Sequence, residues 1–192
     1  MAFDTKDIVR YLRMGESEPD PALSARIGEL RRMAEAAIRP AGTWKRFALS
    51  ENGITSGGQT LPVSGTLASR LRGCREAYLF CGSLGPGFDA LLRRVAATSG
   101  ADALIVQAIG TAAVESLMDS IEDEIGKELS AGESLTARYS PGYGDFPLST
   151  QRTVLDLLDA PRKAGVSLTD AMLMVPSKSV SAVAGVKSAT GG

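Results

Sequence analysis

The chain has 192 residues, 44% hydrophobic and 22% charged, with a formal net charge of −1 and no histidine. Such a chain is long enough for one domain with a sizeable core and is not disordered in composition, and its charge sets up no field that would draw nucleic acid or an anionic membrane. Without histidine it has no Ser-His-Asp or Cys-His nucleophile and offers no imidazole to a metal.

Asp4 or Thr5 is placed to cap a first helix carrying Ile8, Tyr11 and Leu12, closed by Gly15. Glu16 to Pro19 form a polar break. Asp20-Pro21 opens a second helix, with Leu23, Ile27, Leu30, Ala34 and Ile38 on one face and Pro40 and Gly42 beyond its end. Thr43–Leu49 and the stretch around Leu61–Val63 predict short strands, with Gly57-Gly58 as a turn between them. Ser64 caps a short helix through Leu71, and Gly73 stops it.

The next stretch is the most regular. Ala77–Cys81 is an apolar run that predicts a buried strand. Gly82-Ser83-Leu84-Gly85-Pro86-Gly87 joins it to a helix over about Phe88–Ala97. A long helix follows from near Asp102 to about Leu129, expected to be buried in its small, apolar first half and solvated in its charged second half. Thr136–Tyr139 predicts a strand, Ser140–Pro147 a loop, and Ser149 the cap of a helix through about Leu158. Ala171–Val175 and Ser179–Val186 predict two late strands around Pro176. The expected domain is residues 1–187, with 188–192 a small, polar, disordered tail. Helices and strands interleave without steady alternation, so the fold class is α+β.

The first thirty residues lack the apolar core of an export signal, and no unbroken apolar run approaches the roughly 18 residues of a membrane span. Cys74 and Cys81 are too few for a disulfide framework and read as buried thiols in a reducing cytoplasm.

Three segments carry candidate chemistry. The glycine-rich Gly82–Gly87 matches neither the dinucleotide fingerprint nor a Walker loop, and is read as a tight structural connection. The segment Arg138-Tyr139-Ser140-Pro141-Gly142-Tyr143-Gly144-Asp145-Phe146-Pro147 is dense in useful groups. Its arginine is suited to clamp a carboxylate, its glycines allow close backbone approach, and its three aromatic rings are suited to cover a flat base or a sulfonium cation. The plainer reading is a rigid surface turn stiffened by two prolines. Glu115 follows a run of small residues where a ligand can approach the helix and its amine can pair with the carboxylate; alternatively it is an ordinary surface glutamate.

Together these segments resemble the activation domain of cobalamin-dependent methionine synthase, especially its free-standing bacterial form. Arg138-Tyr139-Ser140-Pro141-Gly142-Tyr143, followed by Pro147, is similar to that family's Arg-x-x-x-Gly-Tyr element. The Ser83-Leu84-Gly85-Pro86 turn, the small-residue helix ending in Glu115, Leu168-Thr169-Asp170 through Met174-Val175-Pro176, and Ser179-Val180-Ser181 follow in the matching order. The resemblance implies a C-shaped single α+β domain, with a mostly antiparallel sheet flanked by helices and a shallow site for S-adenosylmethionine. Carried over by position, the ligand contacts are Arg138, Ser140, Gly142 and Tyr143, with Glu115 as a further one; no catalytic residue and no metal ligand is implied.

The function implied is reductive remethylation of cob(II)alamin on a separate cobalamin-dependent methionine synthase or corrinoid protein. Cobalamin would be met only through that partner, with a flavodoxin- or ferredoxin-type reductant, in the cytoplasm, and with neither nucleic acid nor membrane involved. The chain would be an accessory subunit and not a self-sufficient enzyme. The alternative is a non-catalytic module that senses S-adenosylmethionine or docks on a corrinoid protein. Three departures stand out. The family's ligand-contacting tyrosine after Ser-Val-Ser-Gly falls at Ala184, an early aspartate contact has no secure match, and the cobalamin, folate and homocysteine domains are not in this sequence.

Overall fold

A computed structural model describes residues 4–14 and 18–188 of the chain. The elements in order are α1 (Thr5–Tyr11), α2 (Pro21–Ala37), β1 (Ala41–Ala48), β2 (Ile54–Ser56), β3 (Gln59–Leu61), α3 (Gly65–Arg70), β4 (Glu76–Ser83), α4 (Pro86–Ala96), α5 (Gly100–Glu128), β5 (Glu133–Leu135), α6 (Thr150–Leu158), α7 (Ala160–Lys163), β6 (Ser167–Leu168), β7 (Met174–Val175) and β8 (Ser179–Ser188). Gly15, Glu16, Ser17 and residues 189–192, which carry the expected helix stop, part of the polar break and most of the expected tail, lie outside the described residues. Ser188, expected in the tail, is instead the last residue of β8.

The main sheet runs β1-β4-β8-β5, antiparallel throughout, with β2-β3 and β6-β7 as separate hairpin pairs. The fold is α+β as expected, with helices on both faces of the sheet. Its centre explains the apolar run at 77–81. In a strand, successive side chains point to opposite faces. Tyr78 and Phe80 enter the core with α1, α2, α4 and α5, while Ala77, Leu79 and Cys81 enter a second core with α3, α6 and the β2-β3 hairpin. Both faces are covered, so no polar alternation survives in the sequence. Ala182, Ala184 and Val186 of β8 join the first core and Val183 the second.

Helix starts follow local chemistry. Asp4 and Asp7 form a reciprocal capping box at α1, Asp20 accepts from Leu23 N–H with Pro21 opening α2, and Ser99 accepts from Asp102 N–H at α5. The Gly82–Gly87 segment is the tight connection expected. A side chain on Gly85 would meet the Arg39 carbonyl at 2.6 Å, and one on Gly87 the Ala37 carbonyl at 2.4 Å.

Several expectations need correction. Ser64 and Ser149 precede α3 and α6 as expected, but neither side chain makes a capping hydrogen bond. The second half of α5 is not simply solvated: Leu117, Met118, Ile121 and Ile125 continue the buried stripe, and the charges occupy the opposite face. By length and composition α5 is apolar enough to cross a membrane, but twelve of its residues are buried in this fold. The strand expected at Thr136–Tyr139 is instead β5 at Glu133–Leu135. Beyond it the Thr136 hydroxyl, in place of a backbone carbonyl, takes the Gly185 N–H at 2.9 Å, and the ladder resumes only as a Tyr139–Val183 bridge. The strand expected at Ala171–Val175 contracts to β7, and α7 was not foreseen.

Candidate functional site

The dense segment 138–147 leaves the edge of β8 and folds on itself before α6. Tyr139 is 9% exposed, stacks on Phe146 with ring centroids 5.9 Å apart, and donates its hydroxyl to the Tyr143 carbonyl at 2.8 Å. Gly142 N–H bonds the Phe146 carbonyl at 2.8 Å, and Phe146 N–H bonds the Tyr143 carbonyl at 3.0 Å. Gly144 has a φ of 53°, and a Cβ there would stand 2.6 Å from the Tyr139 hydroxyl, so only glycine admits this turn. Of the three aromatic rings, two are therefore core. Tyr143, 66% exposed, is the ring left to cover a ligand.

Beside this loop lies a cavity of about 390 Å³, within the size range of small-molecule sites. The loop contributes Arg138, Tyr139, Ser140, Pro141 and Tyr143 to its wall; Glu115 comes from α5, Arg70 from α3, Gln151 from α6, Met174 from β7, and Ser179, Val180 and Ser181 from β8. Four of the five site residues expected from sequence, Arg138, Ser140, Tyr143 and Glu115, thus share one cavity. Gly142 is in the loop but not in the wall, and its φ of 92° lies in the left-handed region that favours glycine. Ala184 is fully buried, paired with Tyr78 in the core under the helices, and forms no wall of the cavity. A second hollow of about 430 Å³, between α1 and α5, is lined by Arg10, Arg13 and Leu104 among others and includes none of these residues.

The electrostatics differ from the expected clamp. Arg138 already binds three carboxylates spaced along one face of α5: Glu115 at 2.7 Å, Asp119 at 2.7 Å, and Glu122. Burial works against its charge, but these partners outweigh it and hold the guanidinium firmly cationic. Glu122 goes the other way. Burial pushes its carboxyl above the usual range, and Arg138, shared with two other acids, only partly offsets this. The arrangement is a partly buried cluster of three anions around one cation, suited to a ligand that carries its own positive charge.

Sequence reasoning missed Arg70 and Gln151, and named Met174, Ser179, Val180 and Ser181 only within motifs. The Arg70 guanidinium lies 4.5 Å from the Tyr139 ring centroid. Ser181 is 1% exposed and its hydroxyl has no hydrogen-bond partner among the described residues.

Residues 102–190 match the family model described as vitamin B12 dependent methionine synthase, activation domain. The fold matches the crystal structure of the MetH reactivation domain bound to AdoHcy, with a TM-score of 0.61 and 17% identity, covering 90% of this chain and 68% of that one. No curated protein matches the chain. In fold over most of its length, and in sequence over residues 102–190, the chain resembles the activation domain of vitamin B12-dependent methionine synthase.

Proposed function

We propose that this protein binds S-adenosylmethionine in the Arg138 cavity and supports reductive remethylation of cob(II)alamin held by a separate cobalamin-dependent methionine synthase or corrinoid protein. The single observation that carries the reading is the make-up of that cavity. The wall of this cavity, about 390 Å³ in volume, holds Glu115 and Arg138, a second arginine and an exposed tyrosine, with Asp119 and Glu122 on Arg138 behind it. S-adenosylmethionine has groups of matching chemistry: a sulfonium and an ammonium for the acidic side, a carboxylate for a guanidinium, and a flat base for an aromatic face.

In this reading Glu115, held by Arg138, attracts the ligand's cationic end. Ser140 and the Gly142–Tyr143 backbone shape the loop against it, and the Tyr143 ring closes over it. When bound, the ligand supplies a methyl group. With one electron from a flavodoxin- or ferredoxin-type protein, cob(II)alamin and S-adenosylmethionine become methylcobalamin and S-adenosylhomocysteine. This chain contributes orientation and electrostatics and no nucleophile. We place it in the cytoplasm with its partner. The test is methylcobalamin formation, followed by absorbance, on an isolated cobalamin domain of a methionine synthase with reduced flavodoxin and S-adenosylmethionine. A rate raised by this protein supports reactivation. S-adenosylmethionine binding without any change of rate would leave a sensing module and overturn it.

A further inference from the structure

The hollow between α1 and α5 takes no part in the site described above. Its volume of about 430 Å³ is within the range of small-molecule sites, and its wall carries Arg10, Arg13, Gln107 and Thr111 beside Tyr11 and Leu104. Among the described residues no carboxylate lines it.

The positive charge here is poorly matched. Arg13 follows α1 with a φ of 56°, in left-handed backbone that glycine takes more readily, and its guanidinium has no carboxylate partner among the described residues. Arg10 lies over the Tyr11 ring, 4.9 Å from its centroid, and comes only within 3.5 Å of Asp7. That carboxylate is already engaged, accepting the Asp4 N–H at 3.2 Å. Behind the wall stands Lys178, whose Nζ donates to the Thr111 hydroxyl at 2.9 Å. Burial pulls the Lys178 ammonium below the ordinary lysine range, and Asp89 only partly offsets this. Asp89 is itself occupied, accepting the Ser177 N–H at 2.9 Å and its hydroxyl at 2.6 Å. Leu104, 68% exposed, adds an uncovered apolar surface beside these charges.

We infer that this hollow is a second ligand site, for a small organic anion whose carboxylate or phosphate is held by Arg10 and Arg13 and whose apolar body lies against Leu104. A guanidinium fork matches two oxygens of either group. The Gln107 amide is placed in the wall to donate a further bond, and Lys178 adds positive charge from behind Thr111. The inference stands independently of the proposed function.

The test is NMR titration of isotopically labelled protein with phenyl phosphate, with benzoate and, as a neutral control, with benzyl alcohol, followed at the Gln107 side-chain amide. Saturable shifts from at least one of the anions and none from the alcohol are expected, and the tighter anion tells a phosphate ester from a carboxylate. Arg10→Ala and Arg13→Ala should each raise the dissociation constant about tenfold or more, as for a lost hydrogen bond between charged groups, and Arg13→Lys should recover part of it. Leu104→Ser should weaken phenyl phosphate and leave inorganic phosphate unchanged. Arg138→Ala should leave all these affinities as they are. Arg10, Arg13 and Leu104 are exposed, so their replacement leaves the core intact. Shifts that do not saturate, that benzyl alcohol reproduces, that keep the same affinity in Arg13→Ala, or that vanish in Arg138→Ala overturn the site.

Discussion

The Asp145 carboxylate accepts the backbone N–H of Thr66 on both oxygens, each at 3.1 Å, and so ties the 138–147 loop to the start of α3 across 79 positions of sequence. The tie needs Gly65, whose φ is 55° and whose Cβ, were there one, would stand 1.9 Å from the carboxylate. The Thr66 hydroxyl and then its N–H hold the Asp145 carboxyl below the usual range. Because α3 ends at Arg70, this contact also sets where that guanidinium sits.

Gly65→Ala therefore acts twice. It places an alanine in left-handed backbone, at about 1–2 kcal/mol, and pushes Asp145 off Thr66. The expected outcome is a lower melting temperature together with weaker S-adenosylmethionine binding, read by thermal denaturation and calorimetry on the same protein. Binding that is untouched would mean the loop holds its shape without the tie.

The same tie has a pH signature. A carboxyl whose folded pKa is depressed contributes stability that is present above its unfolded pKa and is lost as pH falls through the folded value. Asp145→Asn should thus remove part of the acid sensitivity below the ordinary aspartate range near about 3.9. Melting curves for both proteins between neutral and acid pH check this.

Glu122 has the opposite sign. Its raised folded pKa means a contribution that is fully present below the unfolded value, near about 4.3 for glutamate, and lost as pH rises through the folded one. Glu122→Gln should equal or exceed the wild type in stability at slightly alkaline pH, since Glu115 and Asp119 still hold Arg138. A mutant clearly less stable there would mean that pairing, not desolvation, dominates at Glu122.

Gly110 probes the packing of α4 on α5. A Cβ at this position would lie 2.4 Å from Cζ of Phe88, which is fully buried. Gly110→Ala should cost about 1–3 kcal/mol through overpacking, seen as a lower denaturation midpoint. S-adenosylmethionine affinity should not change, since neither residue lines the Arg138 cavity.

The thiols should react in order of burial. Burial pushes the Cys81 thiol up to about 12 and raises that of Cys74 by less. Maleimide labelling of native protein, followed by mass, should modify Cys74 slowly and Cys81 only after denaturation. Prompt labelling of Cys81 would contradict its burial in the second core.

What the sequence made legible depends on how local the cause is. Capping at Asp4 and Asp20 and the apolar run at 77–81 are decided by neighbours in the chain, and the structure follows them closely. The loop at 138–147 was visible because its glycines, prolines and aromatics are concentrated in ten residues. Ring identity alone, however, could not tell that Tyr139 and Phe146 stack inside while Tyr143 stays out. Nor could it tell that Arg138 is met by Glu115, Asp119 and Glu122, although their spacing along α5 puts them on one face. Arg70 and Ser181 carry no local signal. Arg70 reaches the cavity through a tie between residues 66 and 145, and a hydroxyl is orphaned only by what packs around it. The strand shift at Thr136 has the same origin, a side chain displacing a backbone bond.

The central claim is that the cavity beside Arg138 holds S-adenosylmethionine, and the most direct measurement is titration calorimetry of the wild type, repeated on Arg138→Ala with its fold checked by circular dichroism. Saturable binding to the wild type, weakened about tenfold or more in the mutant because Glu115 loses the charged partner that positions it, is the predicted result. Equal affinity in the two proteins would contradict the site, and no binding by the wild type would contradict the account.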